Sequence, residues 1–230
     1  MHLGWEELAG GVHRARLPFL DVSVGAVVGQ EGLLVIDCGT TLIEAAAIGD
    51  DLREMTGSDV THVVMTHHHF DHILGSAGFP QAQSFAAPPV GVGLTDRLDA
   101  VCAEAVRYGA DPAEVARAAR AARPPDQLVW RAELDLGDRA VTVLHPGSGH
   151  TDHDLVVVVP GLPTVVFCGD LVEESGDPAV GDDAHPAAWP AALDRVLAVG
   201  GEDACYVPGH GATVDADFVR RQRDWIRSRF

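Results

Sequence analysis

Short apolar runs, each closed by glycine, proline or charged residues, set the hydropathy pattern of this chain. Residues 12–17 and 22–28 read as two strands parted by a turn at Pro18-Phe19-Leu20-Asp21, and the continuous run Leu33-Leu34-Val35-Ile36 reads as a buried strand. A helix follows. Thr41 with Glu44 three residues later makes a capping box, and Gly57 stands where a C-cap glycine belongs. Between them Leu42, Ala45, Ile48, Leu52 and Met55 recur at helical spacing and are expected to face inward. Residues 60–65 form the next strand, and beyond it the pattern predicts a short helix and a strand at 83–86.

Between Pro88-Pro89 and Pro124-Pro125 the composition shifts to alanine and arginine and predicts two helices. The second opens at Asp111-Pro112-Ala113-Glu114, with an N-cap, a proline at N1 and an acid at N3. Its apolar side is mostly alanine, which places it on the surface. This segment, about 88–127, reads as a helical insertion in a single domain spanning 1–230. It suits a lid over a site, a helix pair packed on the flank, or a dimer contact. Strand patterning returns at 128–136 and 140–144, with Gly137-Asp138 as the hairpin turn, and again at 155–159 and 165–168. A long loop from 171 to about 185 leads to a helix with Trp189, Leu193, Val196 and Leu197 on one face. A last strand at 205–207 precedes a final helix with Phe218, Gln222, Trp225 and Ile226 on one side.

Candidate chemistry concentrates at Thr66-His67-His68-His69-Phe70-Asp71-His72, directly after the run Val63-Val64-Met65. The spacing is His-x-His-x-Asp-His, and a turn leaving a strand can aim such side chains at one point. Imidazole with carboxylate is a ligand mix that suits zinc. Four further polar features are expected just past the ends of apolar runs: Asp37, Gly149-His150-Thr151, Gly169-Asp170 and Pro208-Gly209-His210-Gly211. In layered α/β proteins that edge is where sites are built. His68 alternates with the ligand-type residues and is expected to point away. His153 and Asp154 either support His150 or begin a strand, His185 is a candidate substrate contact, and Cys168 is expected in the core.

Charge and composition narrow the class. The formal net charge is −18, from 34 acidic against 16 basic residues, a field that repels phosphate backbones and anionic membranes. All the basic residues are arginine. Without lysine, a P-loop NTPase, a Schiff-base enzyme and a Ser-x-x-Lys acylase are excluded. Four scattered cysteines suggest neither a zinc knuckle nor a disulfide framework, and reduced thiols suit the cytosol. With neither a signal-peptide pattern nor a membrane-length apolar run in view, a cytoplasmic protein is expected.

In this order the motifs His67-x-His69-x-Asp71-His72, Gly149-His150-Thr151, Gly169-Asp170 and Gly209-His210-Gly211 resemble the dinuclear metallo-hydrolase branch of the metallo-β-lactamase superfamily. The match runs from about Asp37 to His210 and is similar to the Asp-bridged, glyoxalase-II-like pattern. The resemblance implies an α/β fold, a four-layer αββα sandwich with two zinc ions at one edge. One zinc would be held by His67, His69 and His150, the other by Asp71, His72 and His210, with Asp170 bridging. Asp37 would orient a ligand histidine from behind.

Two metals about 3.5–4 Å apart can hold a hydroxide at a pKa near ~7, so no side-chain nucleophile is required. Asp71 and Asp170 fix the pair electrostatically, and either can relay a proton. The implied function is hydrolysis of a small-molecule thioester or lactone. Metallo-β-lactamases that open β-lactams commonly place a cysteine at the second metal and a basic residue nearby; here Asp170 is followed by Leu171-Val172-Glu173-Glu174, which argues against true β-lactamase activity. Phosphodiesterases and RNA-processing nucleases share the Asp-bridged pattern, and the net charge argues against the nucleases. Mononuclear-iron persulfide dioxygenases share much of the motif, so one iron, or mixed metals, is the alternative cofactor. Flavodiiron proteins place a glutamate where His69 stands. A metal-loaded binding protein without catalysis is the remaining class.

Overall fold

The computed structural model describes residues 2–230. In chain order it forms β1 (Glu6–Ala9), β2 (Val12–Arg16), β3 (Ser23–Val28), β4 (Leu33–Ile36), α1 (Leu42–Thr56), β5 (His62–Met65) and α2 (Phe70–Ile73). A 3-10 turn, Leu74–Gly78, leads to β6 (Gln83–Ala86), α3 (Pro88–Gly93), α4 (Leu98–Arg107), α5 (Pro112–Ala121) and β7 (Gln127–Leu128). The second half runs β8 (Arg131–Asp135), β9 (Ala140–Leu144), β10 (Val156–Val159), β11 (Val165–Glu173), α6 (Trp189–Gly200), β12 (Cys205–His210) and α7 (Ala216–Arg229).

Two sheets stand face to face. One is ordered β1-β2-β3-β4-β5-β6-β7, the other β12-β11-β10-β9-β8. The uninterrupted apolar runs still alternate, because a strand between two packed layers shows one face to each. Leu34, Ile36, Val64, Val157, Val159 and Phe167 meet between the sheets. Leu33, Val35, Val63 and Met65 pack outward with α1, and Val156, Val158, Val166 and Cys168 pack outward with α6 and α7. The result is the expected αββα sandwich, held by three hydrophobic layers.

Local signals explain most boundaries. Thr41 and Glu44 form the capping box reciprocally, and Gly57 closes α1 in the left-handed conformation. The buried stripe of α1 is Glu44, Ala45, Ala47, Ile48, Asp51 and Leu52, and Met55, expected inward, is exposed. Asp51 takes an inward place because its carboxylate accepts the Leu3 backbone N–H at 2.6 Å.

Four expectations are corrected. An edge strand, β1, precedes the first strand read from the pattern; its sequence Glu-Glu-Leu-Ala carries too little apolar character to show it. Three helices rather than two stand between β6 and β7, the first a six-residue turn opened by Pro88-Pro89. The single strand expected at 128–136 is broken at Val129-Trp130, where the chain leaves one sheet, as β7 beside β6, for the other, as β8 beside β9. β11 continues to Glu173, so Asp170 lies inside a strand, and His210 is the last residue of β12, not a residue beyond it.

Gly75 holds the turn after the histidine motif against the loop that follows β4: a Cβ here would collide with the Cys38 carbonyl oxygen, and the backbone N–H donates to Gly39 O at 2.9 Å. Gly75→Ala is therefore expected to destabilise the protein by about 1–3 kcal/mol. Urea unfolding checks this, and a midpoint equal to that of wild type would refute it.

Candidate metal centre

The two halves of the sandwich bring their polar residues together at one edge. β4 and β5 run parallel, which sets Asp37 beside Thr66. β5 then releases His67, His68 and His69 before the short helix that carries Asp71 and His72. From the other sheet, the turn after β9 supplies His150, β11 supplies Asp170 and the end of β12 supplies His210. Gly169 has φ 52, and its missing Cβ leaves room for Thr66, whose Oγ1 would otherwise lie 2.9 Å away. This close approach brings Asp170 over the histidine motif.

The ring nitrogens converge. His67 Nε2 lies 3.2 Å and His150 Nε2 2.9 Å from His69 Nδ1. Ligands ~2.05 Å from a tetrahedral zinc stand roughly 3.3 Å apart, so this spacing suits one ion. His67, His69, His150 and Asp170 form one group whose ligand atoms lie within 4.8 Å of one another; Asp71, His72 and His210 form a second. Asp170 reaches both. Its Oδ2 is 3.4 Å from His150 Nε2, 3.7 Å from His67 Nε2 and 3.4 Å from His210 Nε2, while Oδ1 is 3.2 Å from His72 Nε2. Asp71 Oδ2 lies 3.5 Å from His210 Nε2 and 3.7 Å from His72 Nε2.

The outward side of each ring decides which nitrogen is free. His210 Nδ1 donates to Leu20 O at 2.8 Å and His150 Nδ1 to Ala179 O at 3.2 Å. His72 Nδ1 donates to Asp37 at 2.8 Å, and His69 Nε2 to Asp183 at 3.0 Å. Thr66 Oγ1 gives its proton to Asp37 at 2.9 Å and so accepts from His67 Nδ1 at 3.0 Å. Every outward partner is an acceptor, so in the neutral form of each ring the lone pair faces inward. Two inward atoms, His72 Nε2 and Asp170 Oδ1, are buried without a hydrogen bond among the described residues, although they face each other. These donors and orphaned atoms fit divalent metal.

Charge placement agrees. Burial works against ionisation of Asp170, yet His72, His210, His67 and His150 hold its carboxyl well below the usual range. Burial lowers His72 and His210, but Asp170 and Asp71 raise both, His210 to about 10. Burial brings His150 down to about 4 and His67 well below the ordinary value. Against its burial, His69 is raised as well by Asp183 and Asp170, so protons are favoured on both sides of the centre, at His69, His72 and His210, where a cation would compete with them.

Asp37, His67, His69, Asp71, His72, His150, Asp170 and His210 are therefore all brought to one place. His68, expected to point away, lines the same cleft, because the chain turns there and strand alternation no longer applies. His185 does not line it; its backbone N–H donates to Gly149 O at 2.8 Å. His153 and Asp154 stay beside the His150 turn, and Cys168 is buried in the outer core. Sequence reasoning missed Asp183, Leu20 and Ala179. Asp183 sits in a loop with several acids, and the other two act through backbone carbonyls that carry no side-chain signal.

The cleft over these residues has a volume of about 630 Å³. Arg97, Arg107 and Tyr108, at the two ends of α4, line it as well, and the Phe70 and Tyr108 rings pack with centroids 5.5 Å apart.

A family profile described as the metallo-beta-lactamase superfamily matches residues 17–210. The metallo-beta-lactamase type 2 of Bacillus cereus is 26% identical over 170 residues, covering 73% of this chain and 58% of that protein. Metallo-beta-lactamase domain-containing protein 1 of Homo sapiens is 30% identical over 186 residues, covering 78% of this chain and 58% of its own length. The chain thus spans rather more than half the length of these relatives. Among solved structures, the DIM-1 metallo-beta-lactamase superposes with TM-score 0.77 at 17% identity, covering 99% of this chain and 98% of that one. The FIM-1 metallo-beta-lactamase from Pseudomonas aeruginosa, in a mono-zinc form, gives TM-score 0.75 at 18% identity, covering 99% and 96%. At this identity the likeness is one of fold.

Of the two ligand groups Asp183 touches only the His67/His69/His150 one, through His69, so Asp183→Ala is expected to weaken metal binding there about 10-fold and to leave binding at Asp71/His72/His210 unchanged. Chelator competition reads this directly, and equal weakening of metal binding at the two groups would refute it. A second expectation concerns Asp154, whose carboxyl burial raises from 3.8 to about 7 while accepting two bonds from Thr151. The folded protein keeps a proton that the unfolded chain releases, so this stabilising contribution is present below about pH 4 and lost as pH rises through about 7. Metal-free wild type should therefore lose stability relative to Asp154→Asn across that window, by a few kcal/mol at most. Parallel pH profiles in urea unfolding would rule this out.

Proposed function

The chain belongs to the metallo-β-lactamase superfamily, and from that premise we propose a dinuclear-zinc hydrolase acting on a carbonyl centre, a thioester or lactone, in the Asp-bridged, glyoxalase-II-like manner. The observation that carries this reading is the placement of Asp170, whose two oxygens reach both groups of ring nitrogens. His67, His69 and His150 would hold one ion, and Asp71, His72 and His210 the other. When bound, two zinc ions there supply Lewis acidity for a carbonyl oxygen and lower the pKa of water toward ~7.

The chain's own groups do the rest. Outward acceptors lock five imidazoles in one tautomer and orientation, so little reorganisation accompanies binding. The cleft volume suits a small molecule, with Phe70 and Tyr108 as an apolar wall against which an acyl chain can exclude water. Cys168 is no substitute ligand or nucleophile: burial raises its thiol pKa, and its Sγ is turned to Val166 O at 3.4 Å. A carboxylate at position 170, followed by acidic rather than basic residues, favours thioesters and lactones over β-lactams. The curated relatives named metallo-beta-lactamase make a β-lactam a necessary comparison.

Initial rates of zinc-loaded protein on a thioester, an acyl lactone, a β-lactam and a phosphodiester test the reading. Thioester or lactone turnover should dominate and fall about 100-fold or more in Asp170→Ala. Metal analysis should give two zinc ions per chain. Turnover of the phosphodiester alone, or a single iron per chain, would overturn the proposal.

A further inference from the structure

His68 belongs to neither group of candidate zinc ligands in the proposed function, yet its side chain faces the cleft. Its Nδ1 lies 2.9 Å from His153 Nε2, and His153 Nδ1 lies 2.7 Å from Asp152 Oδ1. The direction of donation is set from the outer end. An ionised carboxylate only accepts, so His153 donates through Nδ1 and its Nε2 accepts. His68 then donates through Nδ1, and its Nε2 is left bare. His153 is 2% exposed, which shields the middle of the chain from water, and the two rings are tilted by 31° at a centroid distance of 4.7 Å.

Among the described residues no donor bonds the bare nitrogen. Asp183 Oδ2 lies 3.5 Å away and is itself an acceptor, already taking the His69 Nε2 proton. Two acceptors side by side on a cleft wall need a donor from outside. Asp183 and, less strongly, Arg97, which lines the same cleft, act on His68 with opposite signs, so the site does not call for a full charge on that donor. A neutral donor satisfies both conditions. The His68 and His69 ring centroids are 4.9 Å apart, so that donor would lie only a few atoms from a group held at the His69 side of the metal centre.

We propose that His68 is a specificity-determining residue whose Nε2, oriented by the Asp152–His153 chain, accepts a hydrogen bond from a hydroxyl or amide N–H of the substrate. The inference rests on the carbonyl-hydrolase reading, and two measurements separate the fates of the two. The first is kinetic: a 3-hydroxybutyryl thioester against the matched butyryl thioester. Wild type should favour the hydroxylated substrate about 10-fold in kcat/KM, mostly through KM, and His68→Phe should erase the preference with zinc content unchanged. Asp152→Ala, at an exposed side chain bonded to His153 and to none of the candidate ligands, should weaken the preference without loss of fold.

The second is spectroscopic: ¹⁵N-histidine NMR of the zinc-loaded protein, titrated with 3-hydroxybutyrate and with butyrate. His68 should carry its proton on Nδ1, and its Nε2 resonance should shift with the hydroxylated acid alone. A proton on Nε2, an equal shift with butyrate, or a preference that survives His68→Phe would overturn the role of His68. Failure of both thioesters and of the acyl lactone to turn over would sink the carbonyl-hydrolase reading instead, with the NMR titration still deciding the assignment of His68.

Discussion

Three hydrogen bonds to the Asp37 carboxylate couple the two halves of the centre. The Thr66 backbone N–H donates to one oxygen at 2.8 Å, and the Thr66 hydroxyl and His72 Nδ1 donate to the other. Because the hydroxyl gives its proton to Asp37, its remaining capacity is to accept, and His67 supplies that proton. One buried charge therefore fixes the outward side of a ring in each group. Asp37 holds this position with φ 60, a conformation that costs an ordinary residue about 1 kcal/mol or more. The bonds it collects offset that cost, and a carboxylate that was merely exposed would have no reason to remain there.

The same economy governs how the second sheet meets the first. Gly169 lets β11 press against Thr66, and the absence of a Cβ at Gly209 leaves room for the Asp170 carboxylate, which a methyl group there would strike. β11 and β12 are parallel, with irregular register after Phe167, and the irregular stretch is where Asp170 and His210 emerge. Regular pairing below that point fills the core; broken pairing above it aims side chains. Leu20 and Val22, from the turn between β2 and β3, then close over His210 through a backbone acceptor and a bridge.

What the sequence showed depended on whether the physics was local. Capping boxes, runs of alternating burial and closely spaced histidines act over a few residues, so Thr41, Gly57 and the His67 to His72 motif were readable. The sandwich and the convergence of His150, Asp170 and His210 were readable only through family resemblance, since nothing in spacing says that residues 67 and 210 meet. Three features had no local signature. Asp183 is one acid in a loop rich in them, Leu20 and Ala179 contribute only carbonyl oxygens, and the sheet switch at Val129-Trp130 lies within a continuous strand-like pattern. His68 was misplaced for a related reason: alternation was extended past Met65, where the strand had already ended.

The centre is also an electrostatic liability in the metal-free chain. Asp37, Asp71 and Asp170 are buried beside His67, His72 and His150, and burial of so many ionisable groups is tolerated only when each charge has a partner. Protons provide a partial answer by collecting on His69, His72 and His210, but they leave His72 Nε2 and Asp170 Oδ1 without aligned bonds. A divalent cation satisfies those two atoms together, which two protons on separate rings do not. Its binding free energy would therefore add to the stability of the αββα sandwich, because the ligands it ties together come from both sheets and no such arrangement survives in the unfolded chain. On this argument, the residues that position the metals are also those that hold the open edge of the sandwich closed.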